Sequence, residues 1–345
     1  MIIHINLKAS IPGKVSNGNE ITLQSLTKTP LSQQQAQDIV SGHFGTSVSI
    51  AEFHELTDGF FNSAYFMELS DRGRWVIKIA PHPSIKVMGY EKGILRTEVD
   101  VLRLVKDNTE IPVPSVEFID YTHSQIENDY FIMDYVDGVP LNKTRDSLAE
   151  SDAQAIDEKT GHYLKQMNSI TGQLFGNYLQ RELMSESWRD SFDLMLRAVL
   201  EDGQSKEVVL PVDYLLLYSR LSEHFSALEE VRVPQLVHWD LWDGNIFIDP
   251  TTKKITGLID FERALWGDYL VEANFGAFGV NPSFLRGYGE DMPYSANQKT
   301  RRSLYNIYLY LIMVIECYFR KYANDQQEKW ARQKLIQELE ILSSI

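Results

Sequence analysis

The stretch Leu236–Asp249, LVHWDLWDGNIFID, holds a histidine, three aspartates, an asparagine and two tryptophans around short apolar runs. The apolar flanks read as strands and the polar centre as the loop between them. Asp240 and Asn245 stand five residues apart on that loop. Asp260 ends the next apolar run, ITGLID, after a turn at Thr251–Lys254 that can return the chain beside the first strand. An asparagine and an aspartate brought together from two strand ends make an oxygen-only donor set. Such a set suits Mg²⁺, which takes one or two carboxylates together with substrate phosphates. Asp240 would then sit near the metal and accept a proton from a hydroxyl. Phosphoryl transfer asks for these features: positioning, charge neutralisation and an acceptor for the nucleophile's proton. Asp, Asn and Gly are also ordinary turn residues, so the loop alone admits a purely structural reading. His238, just before the loop, reads as a structural histidine.

The rest of the chain frames this hairpin. A length of 345 residues suits two lobes better than one simple core. The net charge of −15 argues against nucleic acid as the main partner, because phosphate backbones are bound by clustered Lys and Arg. It is compatible with a cationic small molecule. The single cysteine, Cys317, excludes an internal disulfide and a cysteine-based zinc cluster, and suits a reducing cytoplasm. Leu304–Phe319 is too short and too polar for a membrane span, and its spacing predicts a buried core helix. The N-terminal residues lack the apolar core of a signal peptide. Residues 1–30 read as a loose extension or an added strand. Ser32 and Gly45 then bracket an expected helix. Residues 51–135 carry strand signals and one helix, whereas long helical patterns dominate after Asp137–Leu141.

HWDLWDGN, followed by DFE at Asp260–Glu262, resembles the catalytic loop and metal-binding aspartate of the aminoglycoside phosphotransferase family. That superfamily includes choline, homoserine, methylthioribose and fructosamine kinases and is distantly related to protein kinases. The resemblance covers residues 51–280. It implies a general-base role for Asp240 and Mg²⁺ ligation by Asn245 and Asp260. Many relatives carry glycine where this chain has Trp239, whose ring would shape the acceptor pocket.

The first lobe should then supply the nucleotide site. Lys78 lies within the apolar strand WVIKIA, where an ammonium is costly unless it is paired or reaches a cleft. On the following helix Ile94, Val101, Leu102 and Val105 form an apolar stripe that includes Glu98. Lys78 and Glu98 answer each other, as the strand lysine and helix glutamate do in kinase-like folds. Snorkelling at a strand edge and a helix rim is the plainer alternative. LTDGFFNSAYFMEL holds one glycine and is no G-x-G-x-x-G loop. The resemblance offers Gly59, Asn62 and Ser63 as phosphate contacts, though the stretch also serves as a simple hairpin turn. Pro12–Ser16, PGKVS, is not a Walker A motif. The resemblance also implies adenine contacts from the backbone between Met133 and Tyr135.

Acceptor candidates are Trp239, Trp242, Asp243, Glu262 and Trp266. Aromatic plates with carboxylates suit a cationic or sugar-like acceptor, and equally a packed tryptophan cluster bracing the loop. Asp268 reads as a cap or loop brace. The expectation is an α+β, bilobal protein-kinase-like fold. It comprises an N-terminal extension and helix (1–50), a small β-rich nucleotide-binding N-lobe (51–135) and a larger, mostly helical C-lobe (136–345). The expected activity is a cytoplasmic, Mg²⁺- and ATP- or GTP-dependent transfer to a hydroxyl of a small molecule, without nucleic-acid or membrane partners. The alternatives are a nucleotide-binding module with little catalysis and a protein kinase. The absence of a long segment between Asp260 and the following helix argues against the protein kinase.

Overall fold

The computed structural model describes residues 27–59, 61–290, 292–322 and 324–345. The segment Pro12–Ser16 lies outside the described residues. The first element, α1 (Gln33–Phe44), starts at Ser32 through a reciprocal capping box with Gln35 and ends at Gly45, whose φ is 104°. Strands β1 (Ile50–Leu56), β2 (Ser63–Leu69) and β3 (Gly73–Ile79) precede helix α2 (Ile94–Asn108); β4 (Val116–Asp120) and β5 (Tyr130–Asp134) complete the lobe. The five strands form one antiparallel sheet in the order β1-β2-β3-β5-β4.

Strand alternation decides where Lys78 goes. Ile77 and Ile79 share one face with Tyr130 and Ile132, and Ala36, Ile39 and Val40 of α1 cover that face. Val76, Phe131 and Met133 belong to the opposite core, with Leu95, Val99 and Leu102 of α2. Lys78 follows Val76 in the period of two and therefore points toward α2 and the interlobe cleft. The early helix is thus the outer cover of the nucleotide-lobe sheet.

The second lobe begins with β6 (Val139–Pro140) and α3 (Glu150–Asn168), then β7 (Gly176–Asn177), α4 (Trp188–Ser205) and α5 (Tyr214–Ser222). The helical pattern of the sequence VDYLLLYSRLSEHFSALEE extends to Glu230, but the helix ends with α5 and the chain continues as 3₁₀ turns over Phe225–Glu230. The break lets the Phe225 ring pack edge-on against Phe192 of α4, 5.9 Å away. Next come β8 (Gln235–Val237), β9 (Ile246–Ile248), β10 (Ile255–Leu258) and β11 (Leu265–Gly267), in two small sheets ordered β10-β9-β6 and β7-β11-β8. Helices α6 (Pro282–Tyr288), α7 (Ala296–Arg320) and α8 (Gln326–Ser344) close the chain. Buried residues occur on every side of α7, the expected core helix. No described helix is long and apolar enough to cross a membrane.

The hairpin that carries Asp240 and Asn245 hangs on α3. The Asn168 side chain, at its C-terminal end, donates to the Leu236 carbonyl of β8 at 2.6 Å. Helix α3 is set close to α6 by Gly161, where a Cβ would stand 2.1 Å from the Phe284 carbonyl oxygen. Gly161→Ala should therefore push the two helices apart at a cost of about 1–3 kcal/mol. A thermal melt of the variant should show a lower midpoint; an unchanged midpoint would refute the packing argument.

Candidate active site

The site assembles around one ammonium. Lys78 Nζ lies 2.6 Å from Glu98 Oε2 and 2.6 Å from Asp260 Oδ1, joining the sheet, α2 and the C-lobe hairpin. Burial opposes the lysine's charge, but Asp260 and Glu98 outweigh it and hold its pKa above the usual lysine value. Asp260 is in turn held below the ordinary carboxylate range, because Lys78 overcomes its burial. Glu98 is fully buried, and its pKa is pushed up to about 7 by burial against the pull of Lys78.

Asp260 has a left-handed backbone, φ 70° and ψ 51°, which turns the chain out of β10 and aims its carboxylate at the lysine. Glu262 follows on a 3₁₀ turn. Oxygens of Glu98, Asp260 and Glu262 lie within 4.8 Å of one another. Burial and the neighbouring Asp260 raise the Glu262 pKa to about 8. Glu262 also accepts a 2.5 Å bond from Asn62 Nδ2, tying the β1–β2 turn to the C-lobe. Sequence reasoning offered Glu262 as an acceptor contact, whereas its carboxylate stands in the acidic cluster beside the turn. Three hard carboxylates in one place fit a divalent cation such as Mg²⁺.

On the catalytic loop, His238 is fully buried. Its Nε2 lies 3.1 Å from the Ile259 carbonyl, and its Nδ1 accepts the Asp240 N–H at 3.2 Å. These bonds assign the neutral tautomer protonated on Nε2, and burial lowers the histidine's pKa to about 4. His238 is thus a brace between the two strands of the hairpin. Asn245 Nδ2 donates to the Asp240 carbonyl at 2.8 Å, which holds the loop's curvature and leaves an oxygen of the same amide as its potential metal ligand. Asp240 Oδ1 is buried and has no hydrogen-bond partner among the described residues. Burial pushes the Asp240 pKa up to about 6, against the attraction of Arg263.

Trp239 adopts φ 60°, a conformation rare for a bulky residue and natural for glycine. Two contacts hold it there. Its ring is 2% exposed and stacks on Tyr308 of α7 at 5.5 Å. Its N–H donates to Glu272 Oε2 at 2.7 Å, while Leu241 N–H reaches Glu272 Oε1 at 3.2 Å. One buried carboxylate therefore grips the backbone on both sides of Asp240. Sequence reasoning did not single out Glu272; its signal is a carboxylate inside the apolar run YLVEANF.

Other predicted residues are dispersed. The Ser63 hydroxyl accepts the Thr29 N–H at 2.7 Å, and its own hydrogen is not used in that bond. Gly59 sits at the same turn, where a Cβ would meet Asn62 O at 3.8 Å and Lys28 Nζ at 4.0 Å. Met133 pairs with Val76 across the sheet. Tyr135 N–H bonds the Arg74 carbonyl at 3.3 Å, so this donor is already engaged within the lobe. Trp266 stacks on Tyr178 at 5.6 Å. Trp242 folds over Gly244, where a Cβ would come within 2.2 Å of the indole. Asp243 is paired with Arg145, which also bonds Asp157 at 2.7 Å. Asp268 caps the turn at Tyr269–Val271 and accepts from Arg301 and Tyr305, each at 2.8 Å. A narrow cleft beside the acidic cluster is lined by Tyr90, Asn177, Gln180, Trp239, Glu262 and Arg263.

This fold and site define a small-molecule kinase of protein-kinase-like architecture. A model of the phosphotransferase enzyme family, APH, matches residues 52–291, and the chain belongs to that family. A Vibrio parahaemolyticus protein assigned as a ketoamine kinase is 24% identical over 295 residues, 83% of this chain and 88% of its own length. The structure of a protein assigned as a fructosamine-3-kinase from Thermobifida fusca superposes with a TM-score of 0.62 at 18% identity, covering 90% of this chain and 98% of that one. The aminoglycoside phosphotransferase APH(4)-Ia, in a ternary complex with AMP-PNP and hygromycin B, superposes with a TM-score of 0.59 at 16% identity, covering 89% and 98%.

Glu272→Ala should leave two buried N–H groups of the catalytic loop without their acceptor, at about 1–3 kcal/mol each. The variant should melt at lower temperature, and Glu272→Gln, which keeps one acceptor oxygen, should fall between it and the parent. Equal melting of all three would show that the loop does not depend on this carboxylate.

Proposed function

We propose that this phosphotransferase moves the γ-phosphoryl group of ATP to a hydroxyl of a small, sugar-like amine, with Asp240 as the general base. The observation that carries the reading is the Lys78 junction. The ammonium that would orient the triphosphate is fixed, by 2.6 Å contacts, to the same Asp260 that follows the catalytic loop. Asp240 Oδ1, buried and without a partner among the described residues, is the acceptor for the substrate hydroxyl's proton. Asp260 and Asn245 would hold Mg²⁺, with Glu262 close enough to join them; when bound, the ion neutralises charge on the phosphates. Lys78 orients the nucleotide phosphates, and Glu98 fixes Lys78. Asn62 and the Ser63 hydroxyl line the phosphate turn. His238 stays neutral and holds the geometry.

The acceptor class rests on two supports. The relative matched over most of both chains is assigned as a ketoamine kinase. The strongly negative chain favours an amine-bearing substrate over an acidic one. The cleft lined by Tyr90, Trp239 and Glu262 is the place for it. The lone cysteine suits reaction in the cytoplasm, where ATP is the abundant donor.

An ADP-release screen over ketoamines, aminoglycosides, macrolides, choline, homoserine and methylthioribose should give turnover with a sugar amine first. Turnover only with choline or homoserine would overturn the acceptor class. Asp240→Asn should lower kcat by about 10²–10⁴-fold while sparing ATP binding. Retained turnover would remove Asp240 from its role. Because the base must be ionised, kcat/KM should fall as the pH drops below about 6, the raised value for Asp240. A profile flat down to pH 4 would contradict the assignment.

A further inference from the structure

The segment just before α1 is tied to the ends of the two strands that carry the phosphate turn and Lys78. Thr29 N–H bonds Ser63 Oγ at 2.7 Å and Thr29 Oγ1 bonds the Ala80 carbonyl at 3.2 Å. Leu31 N–H bonds the Tyr65 hydroxyl at 2.9 Å, and Asn128 Nδ2 braces Thr29 Oγ1 and Ala80 O at 3.3 and 2.9 Å. These bonds deliver Lys28 to the β1–β2 turn. Its Nζ lies 3.0 Å from the Asn62 carbonyl, and among the described residues it pairs with Glu55, at 3.7 Å. Its side chain is 20% exposed, so most of it is withdrawn from water.

An ammonium has three donors, and a neutral carbonyl with one more distant carboxylate is a meagre set for a group so far desolvated. The carbonyl it holds belongs to the same Asn62 whose side chain bonds Glu262, which sets Lys28 beside the cleft. The family match begins at residue 52, so this cation comes from outside the matched region. We infer that Lys28 is a second phosphate-binding cation, set on the β1–β2 turn at Asn62 and adding its charge to that of Lys78 on the triphosphate. The inference rests on the ATP site proposed above. The rival role for Lys28 is mechanical, a clamp on the Asn62 carbonyl that shapes the turn for any ligand.

Titration calorimetry on the full chain separates the two. For Lys28→Met, Mg-ATP affinity should fall about tenfold to a hundredfold, as for loss of a charge-assisted contact, while adenosine affinity stays the same. Lys28→Arg should restore most of the Mg-ATP affinity. Equal losses for Mg-ATP and adenosine would make Lys28 a clamp, and unchanged Mg-ATP affinity would remove it from the site; either overturns the inference. A second measurement needs no variant: Mg-ATP, but not adenosine, should shield Lys28 from amine acylation read by mass spectrometry. Equal labelling with and without Mg-ATP would also overturn it. If the folded parent chain bound no Mg-ATP at all, the ATP reading itself would fall, a result distinct from parent binding that Lys28→Met leaves untouched.

Discussion

The Lys78 ammonium is the point at which three separately encoded pieces of structure meet. The sheet supplies the lysine, α2 supplies Glu98, and the C-lobe hairpin supplies Asp260, both carboxylates at 2.6 Å. None of the three charges is tolerable alone at that depth, because an isolated buried ion costs several kcal/mol. Each therefore specifies the other two. Losing Lys78 would leave two buried carboxylates without their cation, whereas losing either carboxylate leaves a balanced pair. The interlobe relation is set electrostatically at this point. The Asn62–Glu262 bond reinforces it from the turn side, fixing the roof of the cleft to its floor.

A second constraint is backbone strain placed on either side of the Asp240–Asn245 loop. Trp239 and Asp260 both adopt left-handed conformations, which cost non-glycine residues of order 1–3 kcal/mol each. The surroundings over-determine both. Asp260 is drawn by Lys78. Trp239 is held by Glu272 through its N–H and by Tyr308 through its ring. This resolves the departure at Trp239. Glycine reaches that conformation without penalty, and the tryptophan reaches it because its side chain is anchored in the helical core. The indole thus faces α7 and contributes one edge of the neighbouring cleft, instead of standing as a free plate for an acceptor.

Features encoded by local periodicity were legible in the sequence. The alternation around Lys78, the helical stripe through Glu98, the caps at Ser32 and Gly45, and the hairpin bringing Asn245 toward Asp260 all follow from spacing and residue type. The helix break after Ser222 was not legible. It depends on Phe225 meeting Phe192, a contact between residues remote in sequence. Glu272 escaped for the same reason. Its partners are backbone N–H groups 31 and 33 residues away, and a backbone donor leaves no mark in the sequence. The acceptor candidates were chosen for residue type near the motif. Residue type does not tell a tryptophan that packs, such as Trp266 on Tyr178, from one that lines a cleft.

The charges left around Lys78 point to what the cleft is shaped to hold. One buried ammonium faces Glu98, Asp260 and Glu262, and burial, with the neighbouring Asp260 adding to it, raises the pKa of Glu98 and Glu262. A protein gains no stability from gathering three acids around one base. Such a cluster is favourable in the company of a further cation, and a divalent ion matches the surplus. That ion in turn attracts a polyanion, for which a positive counterpart is needed at the mouth of the turn. Lys28 stands there. On the proposed function, the carboxylates of the cleft and the ammonium groups of Lys78 and Lys28 would complement a metal and a triphosphate taken together, and neither one alone.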